Sequence, residues 1–294
     1  MSNRLFGCVE AGGTKFLCAL ADDRGLIGDR LRIPTTTPDE TIGAVIRFFE
    51  EAQRHDGPLS AIGIASFGPI DRDTASPGWG AILNTPKPGW SGAPFASRIR
   101  DRFGVPVGFD TDVNGAAMAE AALGGLSGVT VYITVGTGIG GGVVVDGAPI
   151  DGVRHAEMGH LYAPRHPADD FAGHCPYHAD CLEGMASGPA VLARWGHSLS
   201  ELPQDHPAHD IVAHYLAHLC VALMATLSPH RIAFGGGVID TPGLIDRVRA
   251  HARRYNADYL LPNDRFDGII APSSLDGEAG LHGALMLAKR ALRA

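Results

Sequence analysis

Three glycine clusters carry the first chemical signal: Gly12-Gly13-Thr14-Lys15, Gly136-Thr137-Gly138-Ile139-Gly140 and Gly235-Gly236-Gly237. A turn without side chains lets consecutive backbone N–H groups close on an anion, and such a nest suits a phosphate. Thr14 and Thr137 add hydroxyl donors, and Lys15 adds a positive charge. Any one cluster reads equally well as a plain tight hairpin. Three of them, two carrying Thr, favour phosphate binding. The G-x-x-x-x-G-K-[ST] pattern of a P-loop is missing. Residues 136–141 match G-x-G-x-x-G, but the apolar run GGVVV follows where a dinucleotide site needs a helix.

Asp112 stands between VPVGFD and DVNGAAMAEAA, at the passage from a predicted strand into a predicted helix. A carboxylate there is favoured by the helix dipole and stays ionised. It reads either as a helix cap or as a general base that takes a proton from an attacking hydroxyl. Cys175, His178 and Cys181 form C-x2-H-x2-C, two thiolates and an imidazole at gaps that close on one Zn²⁺. A tetrahedral structural site needs a fourth ligand, and His155, His160, His166 and His174 are the upstream candidates. His214 and His218, four apart on a predicted helix, read as a solvated face.

The elements that must position these groups alternate between strand and helix. Apolar runs at 5–10 and 16–22 flank the first glycine turn, and the same design recurs at 129–146 around the second. This weak internal repeat implies two related domains facing each other across a cleft. Helices are predicted at 38–55, 95–103, 112–124, 208–227, 242–257 and 277–292, and further strands at 59–65, 105–110 and 231–234. Residues 66–94 read as a long loop, and 151–181 as an irregular segment crowded with His, Cys and Asp. The class is α/β. Phosphates held by hairpins resemble the actin–hexokinase type of ATPase, so the expected fold is the two-domain actin/hexokinase-like, ribonuclease H-like one. The expected first domain is 1–115 plus about 277–294, with phosphate binding and catalysis. The expected second is 116–276, with the nucleotide site and the metal loop.

Composition narrows the partners. The chain has 294 residues, 45% hydrophobic and 19% charged, with a net charge of −8. No Lys/Arg run marks a nucleic-acid or membrane surface. The apolar stretches are read as too short for a membrane span. Five cysteines without a secretion signal point to the reducing cytoplasm, and Cys8 and Cys18 read as small core residues.

These motifs resemble the ROK family of bacterial sugar kinases and repressors, over nearly the whole chain. EAGGTK at 10–15 and VGTGIGGG at 135–142 look like its phosphate motifs, DTDVNGAA at 110–117 like its catalytic segment, and FGGGV at 234–238 like the segment near the adenosine. HAEMGH at 155–160 with CPYHADCLEG at 175–184 looks like its sugar-and-zinc signature. LNTPKPGW at 83–90 and the C-x2-H-x2-C spacing resemble the fructokinase branch. The resemblance implies Asp112 as base and Asn114, Glu157, His160 and Glu183 at the sugar. It implies His160, Cys175, His178 and Cys181 on a structural Zn²⁺, and Mg²⁺ with ATP. It further implies a hexose substrate, most specifically fructose phosphorylated at its 6-hydroxyl, with glucose, mannose or N-acetylmannosamine as the alternative, and a homodimer. Thr111 departs from the Asn that many glucose-type members carry before the catalytic Asp. A repressor would need a helix-turn-helix domain ahead of Glu10, which the sequence leaves no room for. A zinc hydrolase would need an open metal position.

Overall fold

The computed structural model describes residues 4–275 and 277–293. The chain divides into two compact units, Met1–Ala119 with Glu278–Ala294, and Glu120–Gly277. The expected boundary residue 276 lies outside the described residues.

The first unit opens with β1 (Leu5–Ala11), β2 (Lys15–Ala21) and β3 (Leu26–Pro34), followed by α1 (Pro38–Asp56), β4 (Leu59–Ser66), α2 (Phe95–Phe103), β5 (Val107–Thr111) and α3 (Asp112–Leu123), whose residues from Glu120 on belong to the second unit. The second unit contains β6 (Val129–Val135), β7 (Ile139–Val145), β8 (Ala148–Pro149), α4 (Leu182–Ala186), α5 (Gly188–Trp195), α6 (Pro207–Leu227), β9 (Arg231–Gly235), α7 (Leu244–Asn256), α8 (Phe266–Ile269) and β10 (Ile270–Pro272). The last helix, α9 (Ala279–Ala291), returns to the first unit.

Each unit is built on one five-stranded sheet, ordered β3-β2-β1-β4-β5 and β10-β9-β6-β7-β8. Read from opposite ends, these are the same topology. β1, β2 and β3 pair antiparallel, and β4 and β5 add in parallel beside β1. β6, β7 and β8 pair antiparallel, and β9 and β10 add in parallel beside β6. The repeat legible in the two glycine hairpins is therefore a repeat of whole sheets.

Local chemistry explains the elements. α1 starts at Thr37, whose side chain accepts from Glu40 N–H, with Pro38 in the first turn. It buries Ile42, Val45 and Phe49 in the first core, beside Ile62, Ile64, Trp90 and Phe95. On the other face of the sheet α9 lies directly on the strands, since a side chain at Gly63 or Gly108 would overlap the carbonyls of Ala284 and Leu287. The loop 66–94 is pinned by Trp90, fully buried against Phe16, Phe67 and Phe95, with its indole N–H donating to Thr36 C=O at 2.8 Å. The Trp of the TPKPGW segment is thus a core residue. β3, with most of its residues exposed, carries no apolar alternation and escapes sequence reading.

Two expectations need correction. α6 is long and apolar enough to cross a membrane by length and composition, but 61% of its apolar window is buried inside the second unit. Nor are His214 and His218 a solvated face. His214 is buried, with Nε2 on Pro164 C=O at 2.7 Å and Nδ1 on Tyr255 OH at 2.6 Å, and His218 stacks on Tyr255 at 4.3 Å. Burial pushes the His218 imidazole down to about 4. α7 packs on this side of α6, and its Tyr255 and His251 supply the partners that a single-helix reading cannot see.

Candidate active site and metal centre

In the first unit the hairpin closes with Gly12 N–H on Lys15 C=O at 2.9 Å, leaving Gly13 and Thr14 exposed at the tip. The end of β3 supports it from one side: Thr35 N–H reaches Thr14 C=O at 3.0 Å, and Thr35 Oγ1 donates to Gly12 C=O at 2.8 Å. Glu10 sits two residues before the turn with its Oε2 buried and without a hydrogen-bond partner among the described residues. Its carboxyl packs against Gly280 at the start of α9. Burial, then the negative charge of Asp112, pushes Glu10 up to about 7, against the pull of Lys15.

Asp112 opens α3 directly after β5, and its Oδ1 accepts from Val113 N–H at 2.9 Å. Asn114 is buried and donates from Nδ2 to Asp110 Oδ1 at 2.8 Å. Arg72 Nη1 donates to Asp110 Oδ2 at 2.9 Å. Asp110 and Arg72 therefore brace the strand–helix passage that carries Asp112. Sequence reasoning missed both. Asp110 lay inside the quoted catalytic segment, whereas Arg72 had no signal at all, arriving from a loop 38 residues earlier.

In the second unit β6 and β9 bring two glycine clusters together. Gly136–Gly138 follows β6, Gly235–Gly237 closes β9, and Thr134 pairs with Gly235. Val238 N–H donates to Val135 C=O at 3.0 Å. Gly236 adopts φ 97°, and a side chain there would press on the Val135 backbone, so glycine is required twice over. Thr137 is exposed at the tip of its turn.

His160, Cys175, His178 and Cys181 converge, their ligand atoms all within 4.8 Å of one another. His160 Nδ1 stands 3.5 Å from Cys181 Sγ and 3.9 Å from Cys175 Sγ, and His178 Nδ1 stands 3.7 Å from Cys175 Sγ. A tetrahedral Zn²⁺ with ordinary Zn–S and Zn–N bonds would separate S and N by about 3.6 Å. The donor set and its spacing fit. Without a cation, burial with Cys175 alongside pushes the Cys181 thiol up to about 11; a bound metal reverses that balance by holding thiolates. Of the other histidines weighed as fourth ligand, His155 pairs with Glu157 at 3.3 Å, His166 turns to Asp210 at 3.4 Å, and His174 is exposed. The intervening loop is tied down at Asp169, which receives Arg194 Nη1 and Tyr215 OH, each at 2.7 Å.

Glu157 is exposed at the start of this loop, and Glu183 is half-buried in α4. Glu183 Oε2 accepts from Ile139 N–H at 3.0 Å, so its carboxylate lies against the second glycine turn.

The sequence profile of the ROK family matches residues 6–291. This chain belongs to the ROK family. A fructokinase from Zymomonas mobilis is 47% identical over 97% of this chain and 96% of its own length. Among ROK structures, a hexokinase from Thermus thermophilus matches with a TM-score of 0.81 at 26% identity, over 98% of this chain and 99% of that one. A ROK glucokinase from Streptomyces griseus, solved with glucose and AMPPNP, matches with a TM-score of 0.74 at 25% identity, over 98% and 100%. The fold is that of the ROK sugar kinases, actin/hexokinase-like, with two mixed sheets.

Proposed function

We propose that this chain is an ATP-dependent kinase that transfers the γ-phosphoryl group to the 6-hydroxyl of D-fructose. The observation that carries the kinase reading is the pairing of two glycine clusters on the adjoining ends of β6 and β9, a glycine-rich cradle for phosphates. The choice of fructose is supported by the 47% identity to a fructokinase, against 25–26% for the hexokinase and the glucokinase.

In this reading Asp112 takes the proton of the sugar hydroxyl. The oxygen attacks the γ-phosphorus, the bond to the β-phosphate oxygen breaks, and ADP leaves. Mg²⁺ bound with the nucleotide would supply charge neutralisation at its phosphates. Gly12, Gly13, Thr14 and Lys15 form one phosphate-binding turn, and Gly136, Thr137, Gly138, Gly235, Gly236 and Gly237 form a nucleotide-binding cradle of their own. Glu157, His160, Glu183 and the remaining amide hydrogen of Asn114 address the sugar. His160, Cys175, His178 and Cys181 hold a structural Zn²⁺ that touches no reacting atom. His160 turns Nδ1 to the thiols, which leaves Nε2 as a placed donor for a sugar hydroxyl. A homodimer in the cytoplasm, where the free cysteines stay reduced, completes the proposal.

The test is a coupled ADP-release assay over a panel of hexoses with Mg-ATP, run on the wild type and on Asp112→Asn. Fructose should lead in kcat/KM. Asp112→Asn keeps the oxygen that receives Val113 N–H, so it should fold normally and lose ~10²-fold or more in kcat. Glucose or mannose far ahead of fructose would overturn the substrate, and near-wild-type turnover of Asp112→Asn would leave that residue a helix cap.

A further inference from the structure

The short stretch from the last metal-ligating residue to α5 grips the second glycine turn at both ends. Glu183, two residues after Cys181, takes Ile139 N–H at 3.0 Å. Gly188 N–H donates to Gly136 C=O at 2.8 Å. The other arm of the metal loop leans on the same hairpin. A side chain at Gly159, beside His160, would overlap the Ile139 carbonyl, and one at Gly141 would overlap Met158. Four contacts thus tie the turn and its hairpin to the segments bearing His160 and Cys181. The third strand of this sheet cannot help, because β8 has two residues and pairs only with Val144 and Val145.

We propose that Glu183 is a positioning residue for the nucleotide turn, in addition to any contact with sugar, and that it transmits the state of the metal loop to nucleotide affinity. The inference rests on the reading that the 136–138 turn takes nucleotide phosphates. The chemistry is simple. A hairpin tip whose N–H groups must converge on an anion binds well only if its dihedrals are already set, since ordering it on binding costs entropy. A carboxylate on Ile139 N–H fixes one side of the tip, and the Gly188 bond fixes the other.

The test is calorimetric titration of Mg-ADP, without sugar, into metal-replete protein. Glu183→Ala and Glu183→Asp, which removes or withdraws the acceptor, should bind ADP about tenfold more weakly, a loss on the order of an unmade charged hydrogen bond. Glu183→Gln keeps an oxygen at the same reach and should bind ADP within about threefold of wild type while losing sugar affinity. That split separates the two roles. Ile139 N–H should exchange faster in the Ala and Asp variants than in the Gln variant. Removing the metal should weaken ADP binding in the wild type and add little in Glu183→Ala, the non-additivity expected of one shared path. Thr137→Ala distinguishes the failures. If Thr137→Ala weakens ADP and Glu183→Ala does not, the inference fails alone. If neither changes ADP binding, the turn is not the nucleotide site. Weak ADP binding by Glu183→Gln with normal binding by Glu183→Asp would show that charge, not reach, matters and would also overturn it.

Discussion

The two sheets share a topology and support their glycine turns in different ways. In the first, β3 runs nine residues beside β2, and Thr35 just past its end makes two hydrogen bonds to the 12–14 turn. In the second, the matching strand β8 is two residues long and ends far from its turn. Glu183 and Gly188 contact the 136–139 turn instead, carried by a segment that begins at a cysteine of the metal cluster. A strand is stabilised by its neighbours all along the ladder. The irregular stretch before α4 has no such ladder, and a metal held by His160, Cys175, His178 and Cys181, as proposed above, would supply the constraint. A repeated fold can thus support two glycine turns differently, one from a sheet edge and one from a loop-borne side chain and backbone.

The largest expected effect comes from breaking the second arrangement. Cys181→Ser, or exhaustive chelation, should lower Tm by ~5–10 °C. Hydrogen exchange should rise at 155–188 and at 136–139, with 12–15 unchanged. Equal acceleration at both turns would erase the contrast.

A second difference lies two residues before each turn, where the first sheet has Glu10 and the second Thr134. Burial, then Asp112, holds the Glu10 carboxyl raised to about 7 from its ordinary 4.5, with Glu278 adding and Lys15 opposing. The folded state therefore binds this proton more tightly than the unfolded chain. The stability it contributes is complete below about pH 4.5 and is lost as pH rises through about 7. Glu10→Gln stays neutral, so its advantage over wild type should grow from pH 5 to pH 8, reaching on the order of 3 kcal/mol. Denaturant melts at four pH values read this directly, and parallel curves for the two proteins would contradict it.

The smallest effect is expected at the best-supported turn. Thr35→Val removes the bond to Gly12 C=O but keeps the backbone bond to Thr14 C=O, so stability should fall by ~1 kcal/mol and ADP affinity by no more than about threefold. A tenfold loss would mean that the first turn hangs on a single side chain just as the second does.

Much of this was legible along the chain. The α1 periodicity, the two hairpins and the β5–α3 passage at Asp112 appear as local patterns because burial of one face repeats at 2 or 3.6 residues. The cluster Cys175, His178 and Cys181 was visible from spacing alone. β3 was missed because its exposed residues leave no apolar alternation, and α4 and α5 because their fourteen-residue region is interrupted at Ser187 and Pro189. Arg72 was invisible because its partner Asp110 lies far along the chain, and an ion pair between loop and strand has no period.

The sequence by itself determined the glycine turns, the acid at the head of α3 and the spacing of Cys175, His178 and Cys181. Each is a matter of residue type within one or two turns of chain, where backbone sterics and hydrogen-bond geometry act locally. The tertiary structure decided the rest: the placement of His160, named by resemblance, beside the thiols, the hydrogen bonds around buried His214, the raised Glu10, and Glu183 lying on the 136–139 turn. These depend on which side chains are driven together and away from water, and desolvation and hydrogen-bond distance are set only when the sheets have closed their cores.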